Sequence, residues 1–188
     1  SLTINNKMIN STTGANVNVT AAQSFTSSGY ENVTIDSGSG TGNVENTFAT
    51  ITITGDDDSK AQSITFTGTN GIDVATSLTT NSSGLLTVDA SGMTAQASGT
   101  TTFDIGTTSH ATNGTASITG SAGEDIIALG NFASTVLGGG EDDSITGGTT
   151  ADNLQGGDAN DTISGGGGND TILGGAGNDT ITSGSGTK

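Results

Sequence analysis

The sequence predicts an all-β protein, a parallel β-helix or β-solenoid that ends in a roll of short, strictly repeated coils. Apolar residues make up 29% of the 188 residues and aromatic residues only 3%, which is too little for a broad globular core. The apolar residues form short alternating runs, and helical spacing over three or more turns is absent. In the last third of the chain an aliphatic residue recurs every nine positions, which favours a narrow core shared along a stack of coils.

Residues 1–110 form the first predicted domain, an irregular β-solenoid rich in Thr, Ser and Gly. Short strands with one buried face are predicted at alternating apolar pairs, separated by Gly, Asn and Ser clusters. The spacing of these strands is too loose for a strict repeat, so coils of unequal length fit best, and a β-sandwich remains the alternative. The pairs are Val17/Val19, Val33/Ile35, Ile51/Ile53, Ile64/Phe66, Leu86/Val88 and Phe103/Ile105.

Residues 111–188 form the second predicted domain, in which nine-residue units follow one another without insertion. A degenerate unit begins at Ala111, and regular units run from Gly120 to Thr182. The eighth position of each unit predicts a short strand whose aliphatic side chain points inward. Two units make one coil of 18 residues, so the turns alternate between two edges. The eighth-position residues are Ile127, Val136, Ile145, Leu154, Ile163, Ile172 and Ile181.

The first six residues of each unit form a turn that brings carboxylates into columns. Glycine tolerates the positive φ that such turns require, and Asn160, Asn169 and Asn178 can adopt the same region. Turns 18 residues apart stack directly, so the sixth residues line up along each edge. One edge carries Asp125, Asp143, Asp161 and Asp179, and the other carries Ser134, Asp152 and Asp170.

The stacked carboxylates point to a bound cation. Coils lie ~4.8 Å apart, where two like charges repel by about 1 kcal/mol in water and several-fold more near a protein surface. A dication between turns can take two carboxylates and backbone carbonyls, and calcium accepts such oxygen sets more readily than magnesium. Residues 120–182 hold ten of the nineteen acids and no Lys or Arg. The alternative is a solvated acidic linker, which would not need an aliphatic residue every nine positions.

The units resemble the calcium-binding nonapeptide G-G-x-G-x-D-x-U-x of RTX proteins, and those from Gly165 and Gly174 match at every position. This resemblance implies a right-handed parallel β-roll and about four calcium ions, shared by the pairs Asp125/Asp143, Asp143/Asp161, Asp161/Asp179 and Asp152/Asp170. A full site is not expected at Ser134, and Lys188 stands where the next Asp would lie. The main-chain oxygens implied as further ligands belong to Gly138, Gly140, Gly156, Asp158, Gly165, Gly167, Gly174 and Ala176.

The first region resembles calcium-dependent, RTX-bearing bacterial surface-layer proteins, in segments such as Leu85–Thr94 and Ala49–Asp58. This resemblance implies a structural protein that forms a two-dimensional homo-oligomeric lattice on the cell exterior, exported by type I secretion. Parts outside this chain would bind cell-surface polysaccharide. The alternatives are the stalk of a secreted RTX adhesin and the calcium-binding appendage of a secreted RTX enzyme. Because Ser1 is not preceded by Met, the sequence is expected to be a piece of a longer protein.

Other residues exclude several classes of function. Three basic residues are too few for a nucleic-acid surface, and no apolar stretch is long enough for membrane insertion. Cysteine is absent, His110 is the single histidine, and no catalytic motif is present, so an enzyme is not expected. Asp56, Asp57 and Asp58 are predicted to form a solvated turn, with a calcium site as the alternative. Turn capping is the predicted role of Asp36, Asp73, Asp89 and Asp104.

Overall fold

The computed structural model describes nine parts of the chain, and every regular element within them is a β-strand, as predicted. No helix in the described parts is long and apolar enough to cross a membrane. The described residues are 2–5, 23–28, 32–37, 45–54, 61–69, 71–80, 84–94, 103–109 and 114–186.

The strands alternate between two sheets, so the chain winds as a solenoid. We call the sheets odd and even after their strand numbers. The odd sheet contains β1 (Leu2–Asn5), β3 (Asn32–Asp36), β5 (Gln62–Gly68), β7 (Leu85–Met93), β9 (Thr115–Thr119), β11 (Ala133–Gly139), β13 (Asn153–Asp158) and β15 (Thr171–Ala176). The even sheet contains β2 (Gln23–Ser28), β4 (Glu45–Thr54), β6 (Gly71–Thr80), β8 (Phe103–Ser109), β10 (Asp125–Ala128), β12 (Ser144–Thr146), β14 (Thr162–Ser164) and β16 (Thr180–Thr182).

Each strand pairs in parallel with the strand two places along the chain. A β-sandwich of antiparallel hairpins is therefore wrong for the first region, and the β-solenoid prediction is confirmed. The pairing β7–β9 and β8–β10 carries both sheets across residue 110. The division into domains at that residue stays a prediction.

Coil length separates the two regions. In the first region the coils are unequal: Val33 pairs with Ile64, but Ile64 pairs with Val88, a shorter step along the chain. Register shifts also interrupt several of these pairings, including β4–β6 and β5–β7. In the repeats, Ile127 pairs with Ile145 and Ile145 with Ile163, which confirms the coil of two nine-residue units.

The core is one column of inward-facing side chains between the two sheets. In the first region Phe66 and Phe103 contact each other, with ring centroids 5.0 Å apart. All predicted strand pairs inside the described ranges lie on strands, whereas Val17 and Val19 lie outside them. In the repeats the eighth-position aliphatic side chains are buried from Ile127 to Ile163. Ile172 is only partly buried and Ile181 is 47% exposed, since β16 is the last described strand of its sheet.

Candidate metal centre

The sixth residue of each unit lies at the point where a turn meets a strand. Parallel pairing with a step of one coil places these residues directly above one another along each edge. In five sixth-position residues the main-chain N–H donates a hydrogen bond to Oδ1 of the Asp one coil later. The donor and acceptor pairs are Asp125 and Asp143 (2.9 Å), Asp143 and Asp161 (2.9 Å), Asp161 and Asp179 (3.0 Å), Ser134 and Asp152 (2.9 Å), and Asp152 and Asp170 (3.0 Å).

The second carboxylate oxygen lacks a hydrogen-bond partner in three of these aspartates. Oδ2 of Asp143, Asp161 and Asp170 is buried and accepts no hydrogen bond. A buried polar atom without a partner costs free energy of the order of 1–3 kcal/mol, and more if it is charged. These three oxygens are therefore the positions in the turns where a cation would be most stabilising.

The space beside each of these oxygens is kept clear by the first glycine of the unit. A Cβ on Gly138 would collide with Oδ2 of Asp143 and with the carbonyl oxygen of Gly156 in the next coil. A Cβ on Gly156 would meet Asp161 and the carbonyl of Gly174 in the same way. We call this space a cradle: the volume beside a unit's first residue, between the sixth-position Oδ2 and a first-position carbonyl one coil later.

Oxygen chemistry makes the cradles suitable for calcium. Each brings a carboxylate oxygen and a main-chain carbonyl oxygen together in a gap that glycine leaves open. Calcium takes six to eight such ligands and tolerates irregular geometry. Within the described ranges no three Asp, Glu or His side chains converge on one point, so main-chain oxygens must complete any site. The residues present therefore fit a calcium ion, with one carboxylate from each turn as the charged ligand.

Burial and mutual repulsion make the charged carboxylates unstable without a cation. Burial raises the pKa of Asp125 to about 7. Burial, and then the charge of Asp125, raise the pKa of Asp143 to about 8. Burial also raises the pKa values of Asp152 and Asp161 above the usual range. A cation in the cradles would favour the charged form and offset these effects.

Two cradles are already filled by hydrogen-bond donors of the protein. Ser121 donates its main-chain N–H to Oδ2 of Asp125 and its hydroxyl to Oδ1, both at 2.6 Å. The N–H of Gly148 donates to Oδ2 of Asp152 at 3.1 Å. Sequence reasoning treated Asp125 and Asp152 like the other aspartates and missed Ser121. Its only signal was a serine in the second position, where the repeat has glycine.

The structure brings the predicted main-chain ligands to the turns in two groups. Carbonyl oxygens of the first-position residues border a cradle: those of Gly138, Gly156, Gly165 and Gly174, and also that of Ser183, which was not predicted. The third-position residues take part in pairing between coils, as Asp158 does with Ala176 and Gly167 with Ser185. The role of these residues and of Gly140 as ligands stays a prediction.

The asparagines that precede Asp161, Asp170 and Asp179 do not use the left-handed region that asparagine can adopt. In the described residues the non-glycine positions with positive φ are Glu141 (63°) and Ala159 (77°). Asn160 instead donates its N–H to Oδ1 of Asp142, and Asn178 donates to Oδ1 of Asn160. The asparagines thus link successive coils by side-chain acceptors, and the fourth position of the unit makes the left-handed turn.

Of the four acids predicted to cap turns, Asp36 ends β3, whereas Asp73, Asp89 and Asp104 lie within β6, β7 and β8. Asp89 accepts bonds from the N–H and hydroxyl of Ser91, at 3.0 Å and 2.6 Å, but both residues belong to β7 and not to a turn. Asp56–Asp58, His110 and Lys188 lie outside the described residues.

Comparison with known families agrees with this description of the turns. The model of the RTX calcium-binding nonapeptide repeat (4 copies) matches residues 130–161, 137–172 and 155–187. These matches cover about a third of the chain, and all three open cradles lie within them. No curated protein and no solved structure matches the chain.

Proposed function

We propose that this chain, whose residues 130–187 carry RTX calcium-binding nonapeptide repeats, is the calcium-binding structural segment of a bacterial surface-layer protein. RTX repeats are typical of secreted proteins. Calcium outside the cell would occupy the cradles and complete the folding of the roll, after export through a type I secretion channel. The segment would then contribute to a two-dimensional lattice of identical copies, while other parts of the protein would bind cell-surface polysaccharide.

The observation that carries the calcium role is the set of three buried Oδ2 atoms without partners, in Asp143, Asp161 and Asp170. Each stands beside a glycine and a main-chain carbonyl, the oxygen-rich surroundings that calcium prefers. Extracellular calcium-binding modules have dissociation constants of ~10⁻⁴ to 10⁻³ M, so they remain empty inside the cell and bind calcium outside it. This weak binding suits a lattice protein that folds only after export.

A row of small polar side chains on the odd sheet supports the lattice role. The strand register places one such residue from each of seven successive coils in line, from β3 to β15. A straight polar ladder that repeats once per coil suits regular hydrogen bonding to an identical neighbour. The residues are Asn32, Ser63, Thr87, Ser117, Thr135, Asn153 and Thr171.

Electron microscopy and light scattering on the purified chain test the lattice role. With millimolar calcium the chain should form sheets, and with EDTA or equimolar magnesium it should not. Thr135→Lys should weaken sheet formation, because it places a charge in the polar row. The control Thr162→Lys changes an exposed residue of the even sheet. A chain that folds in calcium but stays monomeric at all concentrations would contradict the lattice role.

The stalk of an RTX adhesin is the second candidate, favoured by the continuous stacking of both sheets from β1 to β16. Such a column extends in one direction and would stiffen when calcium binds. This function predicts a calcium-loaded monomer, with a binding domain outside this chain. A calcium-binding appendage of a secreted enzyme would behave similarly in solution. Sequence beyond the ends of this chain would distinguish these two functions.

A further inference from the structure

In each column of sixth-position residues, the first carboxylate has different hydrogen bonds from the later ones. Counted from β10, the first carboxylate on one edge is Asp125. On the other edge Ser134 comes first, with its hydroxyl bonded to the carbonyl of Phe132, and the first carboxylate is Asp152. Both of these first carboxylates accept hydrogen bonds on Oδ2 from their own turn. In the later aspartates Asp143, Asp161 and Asp170, the buried Oδ2 atom has no hydrogen-bond partner.

Asp125 has the more complete set of donors. It is 1% exposed, and Ser121 provides both an N–H and a hydroxyl. The Ser121 hydroxyl also accepts the N–H of Gly123 at 3.1 Å, which fixes its orientation toward the carboxylate. Each oxygen of the Asp125 carboxyl group therefore has a hydrogen-bond partner from the protein without a metal ion.

Backbone conformation at the second position of the unit distinguishes filled from open cradles. In the units with open cradles this position is left-handed, with φ of 138° at Gly139, 133° at Gly157 and 78° at Gly166. Neither Ser121 nor Gly148 is left-handed, and in both the N–H reaches Oδ2 of the Asp four residues later. A serine in the left-handed region would be strained, so Ser121 favours the filled form.

We propose that Ser121 and Gly148 replace a metal ion at the first carboxylate of each column. Asp125 and Asp152 are then ion-free caps, and calcium occupies the cradles of Asp143, Asp161 and Asp170. This inference rests on the proposed binding of calcium by the roll, and it changes the number and place of the ions. The Asp125 cap lies near the start of the repeats, so this part of the stack should keep its hydrogen bonds when calcium is removed.

Calcium stoichiometry of the whole chain tests the caps. Equilibrium dialysis and calorimetric titration should give three ions for the natural sequence. Asp143→Asn should remove one ion, since it changes an open cradle. Asp125→Asn should leave three, because an amide oxygen can still accept from Ser121. If Asp125→Asn removes an ion as Asp143→Asn does, Asp125 is a calcium ligand and the caps do not exist.

A gain of binding provides the second test and does not depend on the folding of Asp125→Asn. Ser121→Gly removes the hydroxyl and allows the left-handed conformation found at Gly139, so the ion number should rise from three to four. The control Ser117→Gly makes the same change at a strand position outside the turns and should leave three ions. An unchanged number in Ser121→Gly would show that the side chain of Ser121 does not keep calcium from Asp125. A natural chain that binds no calcium would instead contradict the proposed function.

Discussion

Backbone strain at the fourth position of the turn distinguishes the earlier repeats from the later ones. Glu141 and Ala159 have positive φ, where the corresponding residues of later units are Gly168 and Gly177. A left-handed residue with a Cβ is less stable than glycine by roughly 1–2 kcal/mol. Stacking gives a second reason for glycine in the later unit, because a Cβ on Gly177 would collide with the carbonyl oxygen of Ala159 in the coil before it.

Replacing Ala159 by glycine should stabilise the calcium-loaded chain by about 0.5–1 kcal/mol. Glycine removes the strain of the positive φ, but it also increases the conformational freedom of the unfolded chain. The first effect is the larger one, so the folded state gains stability. Urea unfolding followed by circular dichroism measures the change in the free energy of unfolding. The same substitution at Ala176, which does not have positive φ, should destabilise slightly and is the matched control. Equal effects at both positions would rule out strain at Ala159.

Asp161→Ala should be the most damaging substitution in the roll. Asp161 accepts the N–H of Asp143 on Oδ1, and its Oδ2 borders an open cradle. The change leaves a buried N–H without an acceptor, which costs about 1–3 kcal/mol, and removes a charged ligand. Titration calorimetry should show at least one ion fewer. Asp158→Ala, which removes an exposed carboxylate three residues earlier, is the control, and a similar loss there would refute the assignment.

Asp125 and Asp143 give the metal-free roll a dependence on pH. The folded-state pKa values of about 7 for Asp125 and about 8 for Asp143 lie above the unfolded value of 3.8. Between the unfolded and folded pKa values, the folded state therefore binds more protons than the unfolded state. Their contribution to stability is fully present below pH 3.8 and is lost as pH rises through 7 to 8.

Without calcium, the roll should therefore be more ordered at pH 5.5 than at pH 8.5. Circular dichroism and urea unfolding in EDTA would measure this difference. With calcium the direction reverses, because the ion displaces protons from the carboxylates and binds more tightly at pH 8.5. Asp143→Asn should reduce the pH dependence in EDTA. A chain whose stability in EDTA rises between pH 5.5 and 8.5 would show that these carboxylates are charged in the metal-free fold.

The strands of the repeats could be predicted from the sequence, but the state of each cradle could not. An aliphatic residue at every eighth position and a coil of two units followed from spacing alone, and Ile127 pairs with Ile145 accordingly. The first region was predicted less completely: β1, β2 and β6 were not among the predicted strands, because the distance from one strand to the next varies there. Whether Asp152 is capped depends on the φ of Gly148, which glycine leaves free and only the stacked coils determine.

For the whole molecule, calcium should act on one end of a continuous stack. With calcium at ten times its dissociation constant, each site contributes about 1.4 kcal/mol, so three sites contribute about 4 kcal/mol. Hydrogen exchange in EDTA should show lost protection in β12 to β16 and retained protection in β5 to β9. Magnesium at the same concentration should restore little. Uniform loss of protection along the chain would show that the roll and the solenoid unfold together.

The Oδ1 bonds give the stack a mechanical direction. Each Asp accepts the N–H of the residue one coil earlier. A force that pulls on the C-terminal end therefore acts first on the bonds of the last coil, one on each edge, before those of the preceding coil. Pulling should therefore release the roll in steps of one coil rather than in a single event. A coil of 18 residues, the separation of these linked residues, extends to about 60 Å, which sets the step size. A protein shell built from such segments would absorb stretching by yielding coil by coil, and calcium would rewind it.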